Sequence, residues 1–130
     1  MLLLVLYFII SKVLNTKTIE ISKFSLRNGG VALWFLVGKD IFPNSGGQIV
    51  PVYVPETSQF DCDSLRDYAA ETVMLKLPGS LDVKDVFWLS VFSLTQGISI
   101  SHLYLPYNDM HLPPDLDEVF APYCIWNHDN

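Results

Sequence analysis

The stretch DVFWLSVFSLTQGISISHLYLP, residues 85–106, constrains the fold of this 130-residue chain more than any other. Two runs rich in β-branched and aromatic residues flank a glycine-containing turn, the pattern of two buried strands joined in a hairpin. The same grammar recurs upstream. TKTIEISKFSL (16–26) alternates, placing Ile19, Ile21 and Lys23 on one side and Thr18, Glu20, Ser22 and Phe24 on the other. Asn28, Gly29 and Gly30 form a turn signal, because Asn and Gly tolerate positive φ. VALWFLV (31–37) is a continuous apolar run ending at Gly38, as expected of a strand covered on both faces. QIVPVYVP (48–55) predicts an extended edge segment, where proline is tolerated, and TVMLKL (72–77) another alternating strand. SLRDYAA (64–70) predicts a short helical turn with Ser64 as its N-cap. Strands at this spacing predict an all-β domain, an antiparallel sandwich or a small barrel.

The chain is long enough to bury its own core, and with half its residues apolar and 17% charged it is not a disordered sequence. A net charge of −6 leaves too few cations to neutralise a phosphate backbone, so nucleic acid is not expected as a partner. MLLLVLYFII (1–10) is shorter than the roughly 20 residues of a spanning helix, so no stable membrane span is expected. Residues 1–12 suit either the apolar core of a signal peptide or a first strand. Residues 107–130 hold several prolines and acidic residues without alternation, and read as a linker or as an extended tail packed on the domain.

Few residues invite chemistry. Cys62 and Cys124 lack CxxC spacing and a histidine pair, which excludes a zinc site by pattern; they are either one disulfide or two thiols packed as small apolar groups. His102 shares a side of its alternating run with Ile98, Ile100 and Tyr104, and is weighed as a haem or metal ligand against a hydrogen-bonded core or edge residue. His111 and His128 fall in the tail and are expected to be solvated. Asp82, Asp85, Asp109, Asp115, Asp117 and Glu118 lack the DxDxDG calcium spacing and read as solvated carboxylates. Ser90 and Ser93 sit on a strand-like run rather than in a Gly-x-Ser-x-Gly elbow, so no catalytic residue and no serine chemistry is expected. Trp34, Phe35, Phe87, Trp88, Phe92 and Tyr104 are mostly core; Trp34, Trp88 and Tyr104 are the candidates for a ring exposed to a ligand.

Several short signals fall in a recognisable order: TIEISKF (18–24), NGG (28–30), LWFLVG (33–38), PNSGGQIVP (43–51), LRDY (65–68), TVMLKLP (72–78) and VKDVFWLSVF (83–92). Over residues 13–106 the chain resembles the DM-thirteen domain of Skeletor- and Knickkopf-type proteins, commonly found beside DOMON domains. The resemblance implies a secreted or cell-surface β-rich domain that takes part in electron transfer or oxidative modification, or in organising a chitin-type matrix. It also implies a redox cysteine directly after the Trp-Leu-Ser-Val segment. Here that segment is WLSVF (88–92), and Ser93 follows it. A hydroxyl cannot cycle between thiol and disulfide, and it is a poor haem-iron ligand beside a thiolate. A second departure lies at the start, where MLLLVLYFII replaces the glycine-bearing strand usual in the family, as in a shortened or divergent copy. The expectation is therefore a non-catalytic accessory module that contacts an extracellular protein or polysaccharide, without a resident cofactor. A redox module, with haem as the cofactor considered, is the alternative.

Overall fold

The computed structural model describes residues 5–7, 10–105, 111–116 and 119–126, with side chains from Lys12 onward. Expectations for Asp109, Asp117, Glu118 and His128, and for 1–4 and 8–9 of the N-terminal run, lie outside these residues. Ten strands are present among the described residues: β1 (Val5–Tyr7), β2 (Ile10–Val13), β3 (Thr18–Arg27), β4 (Trp34–Gly38), β5 (Gln48–Ile49), β6 (Val52–Val54), β7 (Gln59–Asp61), β8 (Tyr68–Lys76), β9 (Trp88–Ser93) and β10 (Ile98–Tyr104). They form two antiparallel sheets, one ordered β1-β3-β8-β6-β7 with β2 also paired to β3, the other β10-β9-β4-β5. Both sheets remain open, so the fold is a sandwich and not a barrel.

Alternation along the central strands explains how the layers meet. Phe35 and Val37 of β4, with Leu89 and Val91 of β9, face the six-stranded sheet and pack with Ile19, Ile21, Val73 and Leu75. Trp34, Leu36, Trp88 and Phe92 point the other way and gather with Ile49 into a second, smaller cluster on the outer face. Each central strand is thus covered on both sides, as the unbroken apolar run 31–37 predicts. QIVPVYVP divides in two: β5 belongs to one sheet and β6 to the other, and the chain crosses the sandwich between them at Val50 and Pro51.

Three expectations are corrected. In β3 the register shifts between Ile21 and Phe24, where Lys23 adopts φ 54°. That bulge returns Phe24 and Leu26 to the core side and leaves Lys23 in solvent, so simple alternation fails midway. A bulge in β10 between Ser99 and Ser101 acts alike: Ile100 packs on the core, whereas Ile98, His102 and Tyr104 are exposed. Residues 64–70 contain no helix. The Leu65 N–H donates to Leu33 O (2.7 Å), Asp67 accepts from the Asn28 N–H (2.9 Å), and Tyr68 already begins β8. These long-range bonds outweigh a weak local helix signal.

The described residues after 110 pack on the domain, one of the two arrangements expected of this segment. Residues 111–116 and 119–126 run along the sandwich as a belt. Pro113 O accepts from the Thr16 N–H (3.1 Å), and Ala121 O from the Gly79 N–H (3.2 Å). Asp115, expected in solvent, pairs with Lys76 Nζ at 2.7 Å; their side chains are 12% and 1% exposed. Because Val73 and Leu75 face the inner core, Lys76 lies on the outer face of the six-stranded sheet. A buried ammonium there needs a carboxylate brought to it, and the belt supplies one.

Candidate ligand-binding surface

Ser93 closes β9 at the hairpin turn. It is fully buried, its carbonyl accepts from the Gly97 N–H (2.8 Å), and its Oγ accepts from the Gln96 N–H (3.2 Å). Gly97 supplies the positive φ, 68°, that this turn requires. The Ser93 hydroxyl therefore serves the turn. Its neighbour Ser90 is also buried and hydrogen-bonds Ser99 across the strands (2.7 Å). Neither serine has a base beside it in these contacts.

Cys62 and Cys124 are joined as a disulfide that ties the segment after β7 to the belt, and no cysteine is free. Asp82 and Asp85 cap a 3₁₀ turn at Val83–Asp85: Asp82 accepts from the Lys84 N–H, and Asp85 accepts from the Asp82 N–H. No grouping of three or more His, Cys, Asp or Glu fit to hold a metal exists among the described residues. Nor is any helix among them long and apolar enough to cross a membrane.

The aromatic candidates separate clearly. Trp88 is wholly buried: a Cβ added at Gly38 would stand 2.0 Å from its ring and one at Gly47 2.6 Å, so two glycines give the indole its place on the outer face. Its ring is closed to ligands, and its Nε1 has no partner among the described residues. Trp34 is half-buried, donates from Nε1 to Cys62 O (3.2 Å) and meets the Trp126 ring at 6.5 Å. Tyr104 is 49% exposed and lies edge-on to exposed His102, with ring centroids 5.3 Å apart. Beside it Phe87, 51% exposed, and Ile41 complete an apolar hollow of ≈ 240 Å³, with exposed Phe42 next in the chain. The Phe87 N–H donates to Gly38 O and its carbonyl accepts from the Leu105 N–H, both at 2.7 Å, which fixes its ring between two strands. Sequence reasoning missed Ile41 and Phe42; the available signal was an apolar pair inside an otherwise polar loop, 39–47.

On the other side of that loop lies a cleft of ≈ 600 Å³, bounded by Lys39, Asp40, Gln48, Ser80 and Tyr123 with Gly38, Gly46 and Gly47. Tyr123 belongs to the belt; its hydroxyl accepts from the Ser80 N–H (3.3 Å) and sits where any side chain on Gly79 would stand. The cleft carries donors and acceptors of both charges and no histidine, cysteine or methionine. Neither Ser93 nor His102 lines it.

Electrostatics concentrate elsewhere, at the start of β8. Arg66 makes a two-pronged bond to Glu71 (3.0 and 2.8 Å) and lies over the Tyr68 ring at 4.0 Å. The Arg66 bond, helped by the Ala69 N–H, lowers the Glu71 carboxyl to about 2, while burial pushes the Tyr68 phenol up. This cluster is structural: it pins the segment between β7 and β8.

No curated protein and no solved structure matches the chain significantly. The profile of one family does match, over residues 8–105, which takes in both sheets except β1, and the Ser93 turn, but not the belt. An open β-sandwich with the WLSVF strand at its centre, matched over most of its length, places this chain in the electron transfer DM13 family.

Proposed function

We propose that this DM13 domain is a non-catalytic binding module of an extracellular matrix or cell surface, and that its partner is an uncharged polysaccharide. One observation carries the reading: with Cys62 and Cys124 joined and Ser93 bonded into a turn, the chain has no thiol with which to do its family's redox chemistry. What it offers instead is surface. The exposed rings of Phe87 and Tyr104, with Ile41 and Phe42, present flat apolar area of the kind that packs on the C–H faces of sugar rings. The polar cleft across the 38–42 loop supplies donors and acceptors for equatorial hydroxyls. The net charge of −6 disfavours polyanionic glycans. The disulfide supports a site of action in an oxidising compartment.

The test is co-sedimentation of the intact domain with chitin and cellulose particles, beside a pull-down from soluble matrix proteins. Retention on particles, weakened at least about tenfold by Phe87→Ala with Tyr104→Ala, is the expected result. Capture by a matrix protein with no affinity for either polysaccharide would overturn the choice of partner. Catalysis by the domain of electron transfer from a soluble donor to a soluble acceptor would overturn the non-catalytic reading.

A further inference from the structure

We propose that residues 111–116 and 119–126 belong to a latched belt: thiol–disulfide exchange at Cys62–Cys124 releases it and uncovers the outer face of the four-stranded sheet, while the sandwich stays folded. The argument begins with where the apolar side chains go. Among the described residues, the buried members of the inner core, from Ile19 to Leu105, lie outside the belt, and Leu112 packs on that core from the belt while only partly buried. The belt's Cys124 and Trp126 instead join the outer cluster with Trp34, Leu36, Trp88 and Phe92. Among the described residues the inner core is therefore built mainly without the belt, and the outer one is not.

The belt's attachments among the described residues are separable from the strand ladders: they include the disulfide, the Lys76–Asp115 pair, two backbone hydrogen bonds at Pro113 and Ala121, the Trp126 ring against Trp34, and Tyr123 against Gly79 and Ser80. Segments held this way open locally at lower free energy than a global core. Among these attachments only the disulfide can be switched by chemistry at constant pH.

Exchange would enter at Cys62, which is exposed, rather than at Cys124, which is buried. A thiolate of a small dithiol attacks the Cys62 sulfur, and Cys124 leaves as a thiolate that takes a proton. The second thiol of the reagent then attacks the mixed disulfide, releasing the Cys62 thiol and a cyclic disulfide. Two electrons pass from the dithiol to the protein. Exposed Asp61 and Asp63 flank Cys62, so anionic thiols meet repulsion that a neutral dithiol does not. Release also withdraws Tyr123 from the cleft and Asp115 from Lys76.

The experiment treats the intact chain with dithiothreitol, and separately with glutathione, under native conditions. Limited proteolysis with mass analysis then locates the cuts, and far-ultraviolet circular dichroism follows the sheets. Dithiothreitol is expected to raise cleavage within 111–126 by roughly 30-fold or more, the effect of removing a typical disulfide constraint, with an unchanged β spectrum. Glutathione at equal thiol should act more slowly, and reoxidation should restore resistance. The double variant Cys62→Ser/Cys124→Ser should behave as the reduced protein. Loss of the β spectrum together with belt cleavage would overturn the proposal, since belt and sandwich would then be one cooperative unit. So would a belt that stays resistant after both sulfurs are shown to be reduced.

Discussion

Trp34 and Phe35 are adjacent in sequence and belong to different cores. Phe35 points between the sheets, meets the Phe24 ring at 5.2 Å and is sealed by residues contributed from both layers. Trp34 points outward, stays half-buried, and owes much of its cover to Trp126 and to the Cys62 carbonyl. The inner core is made of strands that hold one another by ladder hydrogen bonds. The outer core is capped by an irregular segment that a disulfide ties to the sandwich. The difference teaches that an apolar run on a central strand needs two lids, and that the two lids need not be equally firm.

The first way to sharpen this contrast is to truncate across it. Phe35→Ala is expected to cost about 3–5 kcal/mol of global stability in urea, equally in oxidised and reduced protein. Trp126→Ala should cost about 1 kcal/mol or less once the disulfide is reduced, because the belt then contributes little to hold. Equal losses would erase the distinction.

The Lys76–Asp115 pair tests a buried non-covalent attachment of the belt. Asp115→Ala takes a carboxylate from a buried ammonium and should cost about 3 kcal/mol, more than a surface ion pair could account for. Lys76→Met combined with Asp115→Leu should recover most of that loss, since both charges leave together. Urea midpoints of the single and double variants decide it.

The smallest effect expected comes from Glu71, which lies away from the belt. Its folded carboxyl sits at about 2 against an ordinary value of 4.5. A lowered carboxyl contributes stability that is present above pH 4.5 and is lost as pH falls toward 2. Arg66 and Glu71 are both solvent-accessible, 62% and 39%, so salt should mute the slope and the loss should stay under about 1 kcal/mol. Glu71→Gln should flatten thermal midpoints across that window and leave belt proteolysis unchanged.

Much of the sandwich was legible because strand signals are local. The β9–β10 hairpin, the run into Gly38 and the strand at 72–77 announce themselves by composition and period. What failed to show were features fixed by partners far along the chain. The bulge at Lys23 depends on how β3 meets β8, and Phe24 changes sides because of it. SLRDYAA looks helical until Leu65 is anchored to Leu33 and Asp67 to Asn28. Trp88 looked available to a ligand; its burial is decided by glycines at 38 and 47. Lys76 and Asp115, 39 positions apart, carry no mark in sequence that one awaits the other. The surface hollow at Ile41, Phe87 and Tyr104 is likewise gathered from three separate segments.

Native-state hydrogen exchange of the oxidised domain bears most directly on the two-core picture. Amides of β3, β8 and β9 should exchange only through global unfolding, and their rates should track urea as the global transition does. The Cys124 and Trp126 amides should exchange through a smaller opening that barely responds to urea. A single exchange free energy shared by β3, β9 and the belt would contradict it, and would make the domain one core with a covalently stapled edge.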